Sequence, residues 1–287
     1  AAAWAAGILR PTRPRTVLTS MPLLLGTSFY LAHEAALHTA GAWIMIGVGT
    51  IVLITELCGV VAPYGRHGKT GTGSAWFGPL INAKVAWMVQ ESGAFLVPAA
   101  LLRVGEPRCL HSWTNWLLLS MFMMHYFQRS FIYPPLMRGG KPMPIGICFL
   151  ASTFCLFNGW LQGRLWTSLE VREAPTTAAD AACLGLGCSL WAAGFAINLH
   201  ADAVLRGLRK NPGDTTYYVP RGGAFEYVSA ANYFGEFVEW CGYALAARHV
   251  AAYAFAYFTF CNLAPRAKAH HEWYKKKIEG YPTSRKA

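Results

Sequence analysis

WTNWLLLSMFMMHYFQRSFIYP, Trp113–Pro134, is the stretch whose reading decides the fold. It has about the length of one bilayer crossing, roughly 20 mostly apolar residues. Arg129 is its one Asp, Glu, Lys or Arg. On a helix, His125, Arg129 and Tyr133 follow one another at intervals of four, and Tyr126 precedes Arg129 by three, so a polar face runs along an apolar rod. A charge inside a membrane segment is costly and turns toward the interior of a bundle. The stretch therefore reads as one helix of a polytopic bundle with a polar interior.

Working outward, comparable runs recur at Gly41–Ala62, Ala83–Leu102, Met143–Gln162, Ala178–Ala203, Ser229–Ala247 and Val250–Ala264. With Trp113–Pro134 they make seven candidate crossings. The last two are nearly continuous and predict a tight helical hairpin. An earlier run, Val17–Leu37, is weaker because it holds Pro22, His33 and Glu34. Composition agrees: 54% of the 287 residues are hydrophobic and 14% charged, against about 25% charged in soluble domains. The expected fold class is all-α, a polytopic membrane bundle of about seven transmembrane helices with no Rossmann domain. Residues 1–40 read as an N-terminal extension with a possible extra membrane segment, and 41–287 as a single membrane domain.

The net charge of +11 does not indicate nucleic acid, because the basic residues lie between apolar runs. Of the 25 Lys and Arg, 16 fall on the side holding the C-terminus and 8 on the other. The positive-inside rule then makes the C-terminus cytosolic. If Val17–Leu37 also spans, the split becomes 19 to 5. The eight Cys form no CxxC pair and read as small buried hydrophobes, not as disulfides or a zinc site. Gly68-Lys69-Thr70 lacks the first glycine of a phosphate loop, Pro63 standing in its place. His270-His271 is too isolated for a metal box.

Further polar groups sit inside the other crossings: Gln90 and Glu91; Asn198, His200 and Asp202, continuing to Arg206 and Arg209; Asn232, Glu236 and Glu239. Their spacing gives each set a face, and three such faces turned inward line a polar cavity. The plainer reading is internal ion pairing, Arg129 with Glu91 and Asp202 with Arg206. Asn198, Asn232 and Gln90 add polarity that pairing does not need. Glu56 reads as interfacial, and Phe255, Tyr257, Phe258 and Phe260 as a lipid-facing or packing surface.

Several motifs resemble one family. HYFQRSFIYPPLMRGGKPMP (His125–Pro144), INLHADAVLRGLRKNPGDTTYYVPRGGAFEYVSAANYFGEFVEWCGYALA (Ile197–Ala246) and FTFCNLAPRAKAHHEWYKKKIEGYPTSRKA (Phe258–Ala287) are similar to segments of the steroid 5α-reductase (3-oxo-5α-steroid 4-dehydrogenase) family, nearest its type 1 branch. YGRH (Tyr64–His67) and QES (Gln90–Ser92) match shorter motifs of the same family. Asn211 is inserted relative to its pattern, and Ala269 stands where a third His is common. The resemblance implies NADPH-dependent reduction of the C4–C5 double bond of a 3-oxo-Δ4-steroid or similar enone. It assigns Glu91 and Tyr126 to polarising the carbonyl, and Glu91 donates only in its protonated form. Gln90, Arg129 and Tyr133 would support the substrate pocket, with Arg129 holding the catalytic pair in place. Asn198, Asp202, Arg209, Tyr217, Asn232, Glu236, Arg266, His270, Tyr274 and Arg285 would hold NADPH. No metal is called for.

The implied partners are a hydrophobic steroid-like enone and membrane lipid, with no nucleic acid, for a monomer in the bacterial inner membrane or endoplasmic reticulum. Other readings stay open on the residues: a reductase of a polyprenol or enoyl-CoA lipid, an isoprenylcysteine-type methyltransferase, and a transporter using the polar faces as an ion path. The charge split yields a direct test of topology. A reporter fused after Ala287 should be active only on the cytosolic face. Activity on the opposite face would reverse the orientation.

Overall fold

The computed structural model describes residues 23–60, 77–208 and 216–287. Tyr64–His67, Arg209 and Asn211 lie outside them. Two compact units are distinguished, 1–37 and 38–287. In the first, the described residues are helical from Leu23 onward. The first helix, α1, is Leu23–Leu57. The described part of the weaker run, residues 23–37, thus joins the first crossing in one helix, while 17–22 lie outside the described residues. Between them stands LHTAG, which has no proline to interrupt the backbone ladder.

Capping sets the starts of the next helices. Asn82 accepts from the Lys84 and Val85 amides and opens α2, Ala83–Leu101. Pro107 begins the short α3, Pro107–Leu110. Ser112 accepts from the Asn115 amide at the start of α4, Trp113–Phe127. A π turn, Gln128–Ile132, leads on into α5, Tyr133–Leu136. Next come α6, Ile145–Arg164, and a second π turn, Leu165–Leu169. Thr177 accepts from the Asp180 amide at the start of α7, Ala178–Gly207. Last come α8, Ala231–Ala247, and α9, Val250–Lys277, joined at Arg248, whose φ of 52° is left-handed. This is the predicted hairpin. Helix α9 runs well past Ala264, where the sequence ends the crossing, because Pro265 lies inside it without ending it.

The architecture is helical, with no Rossmann domain among the described residues. Among the described residues one two-stranded sheet interrupts the helices: β1, Leu80–Ile81, pairs antiparallel with β2, Met143–Pro144. That ladder sets the starts of α2 and α6 side by side. The two helices then run parallel, with Gly93 against Leu156 and Gly163 against Pro98. Among the described residues three segments are long and apolar enough to cross a membrane: His33–Leu57, Ile145–Leu169 and Ala178–Gly207.

Large apolar side chains are exposed outside, and polar ones join the apolar core inside. Trp43, Ile51, Leu57 and Phe149 are exposed, whereas Gln90, Asn115, His125, Asn158, Gln162, Asn198 and Glu239 are buried. Apolar surface facing lipid costs nothing, so helix association rests on close packing and interhelical hydrogen bonds. The closest packing is between α7 and α8. Gly187 and Gly194 on α7 and Gly235 and Gly242 on α8 recur at intervals of seven. A Cβ on Gly235 would lie 2.6 Å from the Asn198 amide nitrogen, and one on Gly194 would strike the Glu239 backbone. At the far end Asp180 binds Arg172 at 2.6 Å and Arg248 at 2.7 Å, tying α7 to the α8–α9 turn.

These glycines give opposite expectations for one substitution. Alanine normally stabilises a helix by up to about 1 kcal/mol over glycine. Gly194→Ala should instead lower stability by about 1–3 kcal/mol, the usual scale of overpacking. Gly185→Ala, which meets nothing within 4 Å, should not. Thermal unfolding in detergent distinguishes them, and equal melting temperatures would remove the tight contact.

Candidate active site

Helix α2 carries Gln90 and Glu91 to the middle of the bundle, α4 brings Tyr126, and α8 brings Asn232 and Glu236. These side chains line one cavity of about 350 Å³, together with Arg129 and Tyr133. Apolar walls come from Trp87, Phe154, Phe255 and Phe258. Phe255 and Phe258 are one turn apart on the inner face of α9. Their neighbours Tyr257 and Phe260 are exposed. The aromatic run is therefore divided, half cavity wall and half outer surface, and its reading as lipid-facing or packing surface holds only in part.

Glu91 has no hydrogen-bond or ion-pair partner among the described residues. The pairing Arg129–Glu91 is not formed. Arg129 Nη1 lies instead 3.1 Å from Asp202 Oδ2, and its guanidinium packs over the rings of Tyr133 and Trp87, 4.5 and 5.0 Å from their centroids. The expected Asp202–Arg206 pair is absent for the same reason. Arg129 thus holds α7 and the Tyr133 ring, and does not grip Glu91 or Tyr126.

The π turn explains part of the difference. Its wider backbone spiral begins at Gln128, so a spacing of four no longer keeps one face through it. His125 faces away from the cavity and meets Glu239 at 2.9 Å, both fully buried. Glu239 therefore leaves the cavity-lining set that Asn232 and Glu236 form. Tyr126 has a partner the sequence did not reveal: Asn158 Nδ2 donates to its hydroxyl at 3.4 Å. Glu56 lies in the last turn of α1. Its carboxylate turns inward and lies 3.9 Å from Arg266 Nη1.

A second cavity of about 200 Å³ shares Tyr133 with the first. Asp202, Arg206, Tyr217 and Tyr274 line it, together with Gly139 and Gly140. Neither cavity is lined by Asn198, Arg266, His270 or Arg285. Asn198 sits just behind the larger one and donates to the Asn232 carbonyl at 3.0 Å. His270 packs against the ring of Tyr233, which is part of the wall. Arg285 is buried, donates to the Pro220 carbonyl at 2.9 Å and stacks over Tyr281.

The segment after α9 folds back on the loop before α8. Ser229 donates its amide to the Lys286 carbonyl, and Lys286 returns a bond to Tyr227. Tyr281 donates to Ser229 Oγ, which meets His271 Nδ1 at 2.7 Å. Burial pushes the His271 pKa down and Lys275 adds to the effect, which favours the neutral ring able to accept that bond. Gly223, at φ 56°, makes the turn possible, since a Cβ there would lie 2.6 Å from the His200 ring.

The residues suit a nicotinamide dinucleotide. Gln90 Oε1, on the wall of the larger cavity, is a buried acceptor without a hydrogen-bond partner among the described residues, which suits a carboxamide or ribose donor. Arg206 adds positive charge at the second cavity. Burying an unmatched acceptor costs about 1–3 kcal/mol, so a ligand that satisfies it is favoured.

A buried ion pair broken from one side leaves a stranded charge. Asp202→Ala should destabilise the protein by about 3–5 kcal/mol. Asp202→Leu combined with Arg129→Leu should recover much of that loss. Calorimetry or thermal unfolding decides it, and a single variant as stable as the parent would show that the pair carries no weight.

A family model for 3-oxo-5-alpha-steroid 4-dehydrogenase matches residues 141–287. The chain is 47% identical over 256 residues to 3-oxo-5-alpha-steroid 4-dehydrogenase 1 of Bos taurus, covering 88% of this chain and 96% of the relative. Against the Homo sapiens type 1 protein it is 46% identical over 253 residues, 88% and 94% of the two chains. Against 3-oxo-5-alpha-steroid 4-dehydrogenase 2 of Sus scrofa it is 41% identical over 267 residues, 93% and 98%.

Proposed function

The chain belongs to the 3-oxo-5-alpha-steroid 4-dehydrogenase family, and on that premise we propose that it reduces the C4–C5 double bond of a 3-oxo-Δ4-steroid with NADPH. The family makes it an oxidoreductase acting on CH–CH groups. One observation carries the finer reading. An unpaired carboxyl, Glu91, and a phenol, Tyr126, line the same aromatic-walled cavity as the amide of Gln90.

The chemistry follows from those groups. NADPH, when bound, supplies the hydride that the β-carbon of the enone accepts. Electron density moves to the carbonyl oxygen as the C5–H bond forms. Donors aimed at that oxygen lower the barrier because they stabilise charge that appears only in the transition state. The Glu91 carboxyl and the Tyr126 hydroxyl are the groups placed for that role. The enolate then takes up one solvent-derived proton at C4, so that hydride and proton together add across the C4–C5 bond. Phe154, Phe255 and Phe258 cover the steroid face and exclude water.

Asn232 and Glu236, with Gln90 and Asn198 nearby, hold the nicotinamide and its ribose. Asp202, Arg206, Tyr217 and Tyr274 hold the rest of the dinucleotide in the second cavity. Arg209, Arg266 and Arg285 add cationic support for its phosphates, and His270 positions Tyr233. Arg129 and Tyr133 form the wall between the two sites. Residues 38–287 act as one membrane domain of seven crossings, with the C-terminus and cofactor mouth cytosolic.

The test is oxidation of NADPH by the purified protein across steroid, polyprenal and enoyl-thioester enones. The steroid should be reduced fastest, and NADPH should be preferred to NADH. Glu91→Gln should lower kcat by about 10²-fold or more, the scale of losing one such donor, with NADPH affinity little changed. Near-parental turnover in Glu91→Gln would take Glu91 out of the chemistry.

A further inference from the structure

Behind Tyr126 a line of side chains runs through the bundle away from the cavity: Asn158 and Gln162 on α6, Tyr243 on α8, and Trp166 in the following π turn. All four are buried. None of them lines the cavity. Their hydrogen bonds form one chain whose direction can be worked out.

Two ends fix that direction. An indole N–H only donates, so Trp166 Nε1 donates to the Tyr243 hydroxyl at 2.8 Å. Tyr243 therefore gives its own proton to Gln162 Oε1 at 3.0 Å. A backbone carbonyl only accepts, so the group facing the Ala251 carbonyl at 3.0 Å is Gln162 Nε2. The two constraints orient the same amide the same way. Gln162 Nε2 then also donates to Asn158 Oδ1 at 3.3 Å. That leaves Asn158 Nδ2 facing Tyr126, 3.4 Å away. An amide is normally oriented by its network of partners, and here a donor-only end and an acceptor-only end decide both amides.

We infer that Asn158 is a positioning residue: by donating to the Tyr126 oxygen, with its amide held by Gln162, it keeps the Tyr126 proton turned outward into the cavity. The inference rests on the proposed role of Tyr126 at the steroid carbonyl. A phenol has one proton, and an acceptor behind it would draw that proton into the wall. Asn158 presents a donor there instead. Among the described residues no other group bonds the Tyr126 oxygen. The hydroxyl therefore needs no reorientation when charge appears on the substrate, which is the condition under which such donors are most effective.

The test uses full-length protein, NADPH and a 3-oxo-Δ4-steroid. Asn158→Leu keeps the branched shape and the number of side-chain heavy atoms and removes the donor. It should lower kcat by about tenfold, less than the 10²–10³ of removing a donor outright, with both KM values unchanged. Combined with Tyr126→Phe it should add nothing, because both changes act through one hydroxyl. Trp166→Phe keeps a ring and removes only the far donor. It should produce a smaller loss of the same kind, again absent in the Tyr126→Phe background, and it serves if Asn158→Leu does not fold. Parental kcat in Asn158→Leu or, where that variant does not fold, in Trp166→Phe would overturn the inference. Losses that multiply with that of Tyr126→Phe would also overturn it while the role of Tyr126 stands. Parental turnover in Tyr126→Phe itself would remove that role and the inference together.

Discussion

The close approach of α7 and α8 is the constraint on which the rest depends. In lipid, apolar side chains gain little by meeting one another, so two helices associate when their backbones come near enough for dense packing. Gly187, Gly194, Gly235 and Gly242 permit this. The consequence is chemical as well as mechanical. The same contact sets Asn198 against the Asn232 carbonyl and turns Asp202 to Arg129. A wider helix pair would leave these polar groups apart and unsatisfied within the membrane.

Polar groups in the interior then divide into two kinds. Some are matched within the protein. His125 with Glu239, Arg129 with Asp202, and the line from Trp166 to Tyr126 join helices that are distant in sequence. Others face open volume. Glu91 has no partner among the described residues, and the Gln90 acceptor, on the same cavity wall, has none either. Matched groups hold the walls, and the unmatched ones that line a cavity remain available to a ligand. This division separates Glu91, which lines the cavity, from Glu239, which meets His125 away from it.

The C-terminal segment is fastened by a different device. Its backbone bonds to Tyr227 and Ser229, and Arg285 and Tyr281 are buried. The segment carries positive charge to the second cavity's side of the molecule without lining that cavity. Arg285 already spends one donor on the Pro220 carbonyl. Its Nη2 lacks a hydrogen bond among the described residues.

The amino-acid sequence by itself determined the fold class and most helix positions, because run length, low charge and capping residues such as Asn82, Ser112 and Thr177 are local. It also named Glu91, Tyr126, Asn232 and Glu236, since a polar residue inside an apolar run stands out without any partner being known. Pairing was decided only by the tertiary structure. Whether Arg129 meets Glu91 or Asp202 depends on which helices adjoin and on the π turn at Gln128, which has no local signature. The same holds for Asn158, one of many buried amides until α4 and α6 are brought together. It holds for Phe255 and Phe258, whose inner face is defined only by what α9 packs against. Spacing along a chain fixes faces. Which face meets which is a property of the assembled helices, where each polar group must find a match or a ligand.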